Sequence, residues 1–301
     1  LPTVKKVNLK LARILNDRAV ALGLFDGVHV GHRKVIEYTV NSGFVPSVFT
    51  FGNMAAKNGR RLEYIYSNAK KQRLLTSLGI ADVISEDFEV VRDMSGEEFV
   101  LSILSEKMNA ATVVCGTDFR FGRGASCSIN ELQTLSQQYG FRLIAVEDVT
   151  VNGLEVSSGK IRQLLKDGHI ATANTLLYEG YSVSKEICRG NRLGRTVGFP
   201  TINQYFAENE VVPKFGVYDS VTKLDGKFYK SITNVGVKPT VESAPCPVAE
   251  THILDYAGNL YGRTVDVELK AFLRPEKKFK SIEELKKAIE KDVHCIRHGL
   301  V

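Results

Sequence analysis

The sequence contains no apolar run approaching the roughly 18 residues that a membrane-crossing helix needs, so a membrane partner is not expected. Its first segment, Leu1–Lys10, also lacks the apolar stretch of a secretory signal. No CxxC pair occurs, and the five cysteines (Cys115, Cys127, Cys188, Cys246 and Cys295) are odd in number and widely scattered. That usage argues against a disulfide framework or a zinc site and suits a reducing cytoplasm. There is no low-complexity linker and no internal repeat. A basic stripe interleaved with aromatics, of the kind that tracks single-stranded RNA, is missing too, so nucleic acid is not an expected partner.

What is present is an ordinary globular composition, 44% hydrophobic and 25% charged, over 301 residues, a length that favours two domains. A net charge of +6 is mild and fits an enzyme with phosphate-bearing substrates. Much of it comes from Lys277, Lys278, Lys280, Lys286 and Lys287, which alternate with acids and read as a solvated helix face.

The first half alternates β-type and helical patterns. Strands are predicted at Ala19–Leu24, Val45–Phe51, Thr112–Cys115 and Arg142–Val146, with a further extended piece starting at Val83–Ile84. Helices are predicted at His32–Val40, Lys70–Leu78, Glu97–Met108 and Ile129–Tyr139. Such alternation implies a parallel sheet covered by helices, with ligands beyond the carboxyl ends of the strands. Beyond Gly180 the pattern becomes β-rich: Ser182–Ile187, Gly216–Lys223, Lys227–Val235, Glu250–Tyr256 and Thr264–Phe272, punctuated by turns such as Asp225–Gly226. This spacing suits a small antiparallel barrel. A final helix begins at Ser281 with Glu284 in capping-box register, and Ile282, Leu285, Ala288 and Ile289 are expected to pack on the barrel. The fold class is therefore α/β followed by β, with domains at 1–180 and 181–301.

Three segments of the first half carry chemistry. Phe25-Asp26-Gly27-Val28-His29-Val30-Gly31-His32 joins the first strand to the first helix. Helix N-terminal N–H groups favour anions, Gly27 and Gly31 allow close backbone approach, and His29 and His32 can donate to phosphate oxygens. Gly116–Gly124, read as GTDFRFGRG, offers Asp118, the aromatic Phe119 for base stacking and the cationic Arg120. Ser157-Ser158-Gly159-Lys160-Ile161-Arg162 opens a helix; hydroxyls alone would serve as caps, whereas Lys160 and Arg162 beside them suit a polyphosphate.

In the second half, Gly190–Asn203 is the strongest local signal. Gly190, Gly194 and Gly198 permit an irregular loop, Arg192 and Arg195 add positive charge, and Pro200 restrains the backbone before Thr201. The Thr201 hydroxyl is a hard donor suited to Mg²⁺, and Asn203 offers its amide to the metal or to a phosphate. Further motifs are GVY at Gly216, TNVGVKPT at Thr233, ETHILD at Glu250, LYG at Leu260 and FLRPE at Phe272.

FDGVHVGH, GTDFRFG and SSGKIR, in this order, resemble the adenylyltransferase module of bacterial bifunctional riboflavin kinase/FMN adenylyltransferases, also called FAD synthetases. That resemblance implies a Rossmann-like nucleotidyltransferase sheet in which Phe25, Gly27, His29, Gly31 and His32 contact ATP. Ser157, Ser158, Lys160 and Arg162 would close from an opposite loop, with Asp118, Phe119 and Arg120 on the FMN and adenine side. GFPTIN with the later motifs resembles a complete riboflavin kinase barrel from about residue 182 onward. By resemblance, Glu250 is the general base toward the riboflavin 5′-hydroxyl. Thr201 and Asn203 carry Mg²⁺ and ATP phosphates under the glycine loop, and Arg274, Glu276 and Phe279 belong to a flap over the flavin. His252, by contrast, reads as structural.

The chain departs from the family pattern at TFGNMA after the second strand, at Gly159 in SSGKIR, at Ala125–Ser128 and at Ile202. Three readings follow. One makes FMN from riboflavin and FAD from FMN. A second is a riboflavin kinase with a weak or inactive adenylyltransferase. The third, of another class, is a flavin-responsive regulatory or RNA-binding protein. Oligomeric state is not encoded in any motif.

Overall fold

The computed structural model describes residues 17–53, 63–189, 198–238 and 246–299. By contacts the chain forms two compact units: Leu1–Leu62 with Asn68–Ser157, and Glu63–Ser67 with Ser158–Val301.

The first unit holds a five-stranded sheet in the order β3-β2-β1-β4-β5, with every neighbouring pair parallel. Its strands are β1 (Arg18–Leu22), β2 (Val45–Asn53), β3 (Asp82–Asp87), β4 (Ala110–Gly116) and β5 (Arg142–Val146). Central β1 is almost wholly buried, as its unbroken apolar run requires of a strand covered on both faces. Helices α1 (Val30–Val40), α2 (Asn68–Ser77) and α3 (Ile129–Tyr139) lie between strands in sequence. Helix α3 starts at Ser128, whose hydroxyl and Glu131 form the reciprocal cap that satisfies its first N–H groups. The helix expected at Glu97–Met108 is one α-turn, Gly96–Phe99, running into a π-helical segment, Val100–Lys107. Periodicity alone does not distinguish these, because both bury Val100, Ile103 and Leu104.

Strand order sets where ligands bind. Connections from β1 to β2 and onward to β4 leave β1 on opposite sides, which opens a crevice beyond the carboxyl ends of β1 and β4. The segments Phe25–His32 and Gly116–Gly124 begin at those two strand ends.

The second unit is a six-stranded antiparallel sheet in the order β8-β13-β10-β11-β12-β9. Its strands are β8 (Ser182–Glu186), β9 (Ile202–Tyr205), β10 (Gly216–Leu224), β11 (Lys227–Lys238), β12 (Cys246–Ile253) and β13 (Thr264–Arg274). A bridge between Cys188 and Asn203 joins its two edges and nearly closes the barrel. The Asp225–Gly226 turn has positive φ at both residues (48° and 78°), the geometry that a two-residue hairpin needs. Strand β12 lies at Cys246–Ile253, upstream of the expected Glu250–Tyr256, because Leu254 already bonds back to Lys230 and the chain then turns. Between β5 and the barrel come a short ribbon of β6 (Thr150–Val151) and β7 (Leu154–Glu155), assigned to the first unit, and helices α4 (Ser158–Asp167) and α5 (Ile170–Leu176), assigned to the second.

The barrel interior holds buried hydroxyls beside an apolar cluster that includes Leu224, Ile253, Val265 and Val267. Ser220, Thr233 and Thr251 are fully buried and bond in series (2.8 and 2.9 Å), as do Thr222 and Ser231 (2.7 Å). Paired in this way the hydroxyls avoid the desolvation cost of an unsatisfied group.

Terminal helix α6 (Ile282–His298) corrects two expectations. Ser281 accepts from Glu284 N–H, but the Glu284 carboxylate bonds to Lys280 N–H, so the box is not reciprocal. Packing on the barrel comes from the helix's later turns, where Ile296 and Val293 meet Val217, Ile232 and Leu254. Ile282 is 56% exposed, and Leu285 and Ile289 line a cavity instead. Lys277, Lys278 and Lys280 precede the helix and are exposed, like Lys286 and Lys287 on it.

Candidate active sites

In the first unit the chain leaves β1 through a tight loop with φ of +53° at Phe25, +79° at Gly27 and +43° at Val28. Positive φ is costly for a β-branched residue and persists only where its surroundings enforce it. The loop delivers His29 to the N-cap of α1. His29 Nδ1 accepts from His32 N–H at 3.1 Å, and His32 Nδ1 accepts from His29 N–H at 3.4 Å. Because Nδ1 is an acceptor in both rings, each imidazole carries its proton on Nε2. The rings stack with centroids 3.5 Å apart, and Phe25 lies against His32 at 5.1 Å. Burial, followed by the neighbouring His29 and Lys71, holds the His32 pKa well below 6.5, so it stays neutral at pH 7. Two neutral Nε2–H donors at a helix N-terminus suit the oxygens of a polyphosphate.

Gly31 leaves room for this pair. A Cβ there would lie 3.1 Å from His29 Nδ1 and 3.2 Å from its Cε1. Across the crevice, Asp118 folds back over Gly116, where an added Cβ would meet its carboxylate at 2.6 Å. Asp118 and Arg120 are exposed, while Phe119 is half-buried and stacked on Phe121 at 5.8 Å. Phe121 itself belongs to the core, so of the two aromatics only Phe119 retains an exposed portion for a base. Ser157 falls in the first unit. Ser158, Lys160 and Arg162 lie on α4 in the second, with Ile161, Leu164 and Leu165 forming that helix's buried face.

One cluster escaped sequence reasoning. Lys70 and Lys71, in the first turn of α2, are buried, with Lys71 only 5% exposed, although a lysine pair in a helical pattern reads as solvated. Asp26 within the loop is buried as well. No periodicity signal distinguishes these lysines from surface ones.

The second unit's site lies on the outer face of the barrel. Register places Val217, Asn234, Glu250 and Asn203 side by side across β10, β11, β12 and β9. The hydroxyl row Ser220–Thr233–Thr251 points to the opposite face, since side chains alternate along a strand. A cavity of about 250 Å³ opens above the Glu250 row, floored by Val217 and Ile232 and bordered by Thr201 and His252. Arg274 lines it from the end of β13, Glu276 and Phe279 from the segment that follows, and Leu285, Ile289 and Asp292 from α6. It thus offers an apolar wall for a flat ring system beside carboxylates, a hydroxyl and the Asn234 amide.

Local contacts explain how these groups are held. Arg274 makes a two-point pair with Asp292, Nε to Oδ2 at 3.0 Å and Nη2 to Oδ2 at 2.7 Å, with Nε also 3.2 Å from Oδ1. Asp292 is buried on α6, and its signature in the sequence is an acid interrupting the apolar stripe Ile289–Val293–Ile296. Glu276 accepts from Asn234 Nδ2 at 3.2 Å and covers the backbone of Gly236, where an added Cβ would collide with the carboxylate. His252 is within 2.8 Å of the Pro200 carbonyl through Nδ1, which must therefore carry the proton, and Phe199 packs edge-on against its ring. Expected to be structural, His252 lies on the border of the cavity, beside Glu250 and Thr201.

Gly190, Arg192, Gly194 and Arg195 lie outside the described residues, while Gly198 has φ of +89°. Thr201 and Asn203 are two residues apart, with Asn203 paired to Glu250 in register, and the hydroxyl and amide oxygens are hard donors of the kind Mg²⁺ accepts. Among the described residues no cluster of three or more His, Cys, Asp or Glu offers a different metal site.

Comparison with known proteins agrees with this division. The family model described as FAD synthetase matches residues 11–160, and that described as riboflavin kinase matches residues 177–300. A bifunctional riboflavin kinase/FMN adenylyltransferase of Escherichia coli strain K12 is 32% identical, covering 91% of this chain and 90% of the relative. Those of Bacillus subtilis strain 168 and of Buchnera aphidicola from Schizaphis graminum are 31% and 30% identical, covering 91% and 95% of this chain and 89% and 95% of their own lengths. A crystal structure from Streptococcus pneumoniae described as a macrolide-efflux protein aligns with a TM-score of 0.80 at 25% identity, over 93% of this chain and 94% of that one. Among the described residues of the present chain, no helix is long and apolar enough to cross a membrane. With both modules matched in order and relatives at this identity covering nearly all of it, the chain belongs to the bifunctional riboflavin kinase/FMN adenylyltransferase family.

Proposed function

We propose that the barrel phosphorylates riboflavin to FMN with ATP and that the parallel-sheet unit adenylylates FMN to FAD. The observation that carries this reading is that both modules match their own family model within one chain whose relatives are named for both activities.

In the barrel, riboflavin lays its ring against Val217, Ile232, Leu285 and Ile289 and brings its 5′-hydroxyl to Glu250. The carboxylate accepts the hydroxyl proton as that oxygen attacks the γ-phosphorus of ATP and ADP leaves. Thr201 and Asn203 orient the phosphates and would hold Mg²⁺, which neutralises phosphate charge when bound. Arg274, Glu276 and Phe279 close over the flavin, and Gly190, Arg192, Gly194, Arg195 and Gly198 serve phosphate binding. In the first unit, the Nε2 protons of His29 and His32 go to ATP phosphate oxygens in the loop Phe25–Gly31. The FMN phosphate attacks the α-phosphorus and pyrophosphate leaves, so positioning and charge stabilisation supply the rate without a protein nucleophile. Asp118, Phe119 and Arg120 serve the flavin or adenine side, and Ser157, Ser158, Lys160 and Arg162 contact phosphate. Domain limits of 1–180 and 181–301 and a cytoplasmic setting, in keeping with five free thiols, complete the reading.

The test is separation of flavins after incubation with ATP and Mg²⁺, starting from riboflavin or from FMN. The wild-type chain yields FAD from both. Glu250→Ala should yield no FMN from riboflavin yet still convert FMN to FAD, and normal FMN production by it would remove Glu250 as base. FMN from riboflavin without FAD from either flavin would favour the kinase-only reading, which the TFGNMA and Gly159 departures motivate.

A further inference from the structure

Lys71 is placed where a lysine is least favoured. It is buried, it sits in the first turn of α2 where the helix dipole repels cations, and no acid shares that turn. Its Nζ donates to the Leu24 carbonyl (3.2 Å), the Thr50 hydroxyl (3.2 Å) and the Phe51 carbonyl (3.0 Å). Thr50 spends its own proton on the Leu24 carbonyl at 3.0 Å, so toward Lys71 it can only accept. Three acceptors need three N–H groups, and only the charged ammonium has them. Leu24 is the residue before Phe25, where the loop bearing both histidines begins, and Thr50 and Phe51 are on β2 beside β1.

We propose that Lys71 is a positioning residue of the adenylyltransferase site: its ammonium ties the start of the Phe25–His32 loop to the end of β2 and thereby sets where the two imidazoles present their Nε2 protons. The proposal rests on the reading of the first unit as an FMN adenylyltransferase. The titratable groups bearing on it are Asp26, from the loop, which favours the ammonium, and His32, from α1, which burial keeps neutral with a smaller contribution from the ammonium. Burial outweighs Asp26 and lowers the Lys71 pKa to about 8. The clamp is therefore complete at neutral pH and loses its third donor as pH rises past that value.

The experiment compares wild type, Lys71→Met and Lys71→Arg across pH 6.5 to 9.5 (about the range that brackets the titration), reading kcat and KM for FAD formation from FMN. FMN formation by the barrel is the internal control. Wild type should lose kcat above about pH 8. Lys71→Met should lower kcat at least about tenfold at all pH values without that alkaline limb, and Lys71→Arg, permanently charged, should lack the limb while keeping more activity. A Lys71→Met enzyme with wild-type kcat and pH profile overturns the proposal. Imidazole ¹⁵N spectra give a readout independent of turnover: wild type should show His29 and His32 as Nε2–H tautomers, with that pattern lost in Lys71→Met. Unchanged ring signals in the variant would overturn the clamp. A wild-type chain that makes no FAD at all would instead remove the adenylyltransferase reading, leaving the spectra to decide the clamp.

Discussion

Gly31 shows how a single hydrogen atom in place of a methyl group can decide a site. The His29 ring lies against its α-carbon, and the ring's acceptor nitrogen is the one that caps His32. Gly31→Ala must push that ring by a few tenths of an ångström, breaking the reciprocal cap and misaligning both Nε2 donors. FAD formation from FMN should fall on the order of tenfold, equivalent to about 1.4 kcal/mol of transition-state stabilisation. FMN formation should be unchanged, and steady-state assays of the two reactions check both statements. His29, Gly31 and His32 were legible in the sequence because the motif is local. Lys71 was not, because its partners Leu24, Thr50 and Phe51 reach it only through the packing of α2 against the strand ends.

At the scale of elements, the barrel's hydroxyl row and the terminal helix carry the lesson. Thr233 bonds both Ser220 and Thr251 in a fully buried row. Thr233→Val keeps the shape but leaves two buried hydroxyls without that partner, which should destabilise the barrel by about 1–3 kcal/mol. Denaturant unfolding of the variant measures it, and an unchanged midpoint would show that the row contributes nothing net. The five barrel strands expected from the sequence lie within a few residues of those observed, β9 was not expected, and the Asp225–Gly226 turn was placed correctly because its residues tolerate positive φ. The packing face of α6 was misjudged. Its apolar stripe serves two purposes, with Ile296 and Val293 on the sheet and Leu285 and Ile289 toward the cavity. An amphipathic pattern records which side is apolar, without recording what that side faces.

For the whole molecule, two units with separate sites predict separable lesions. His32→Ala should reduce FAD formation and leave riboflavin phosphorylation intact; equal loss of both would indicate a folding defect. The same histidine makes stability depend on pH. Its folded pKa is depressed below 6.5, so on acidification the unfolded chain takes up the proton first and folding stability falls. The loss through this group is at most about 1.4 kcal/mol per pH unit below the unfolded value. Unfolding titrations at neutral and mildly acidic pH should therefore show a smaller loss in His32→Asn than in wild type. The sequence by itself determined the class of each half and pointed to two glycine-bearing loops as phosphate sites, because these depend on residue types at short spacings, while the base role of Glu250 came from the family resemblance. Tertiary structure alone decided that β1 and β4 adjoin so that two loops share one crevice, that Glu250 stands between Asn234 and Asn203, and that Asp292 holds Arg274. Those relations join residues from 16 to more than 80 positions apart, and only the packing of strands and helices, which no local pattern records, brings them within bonding distance.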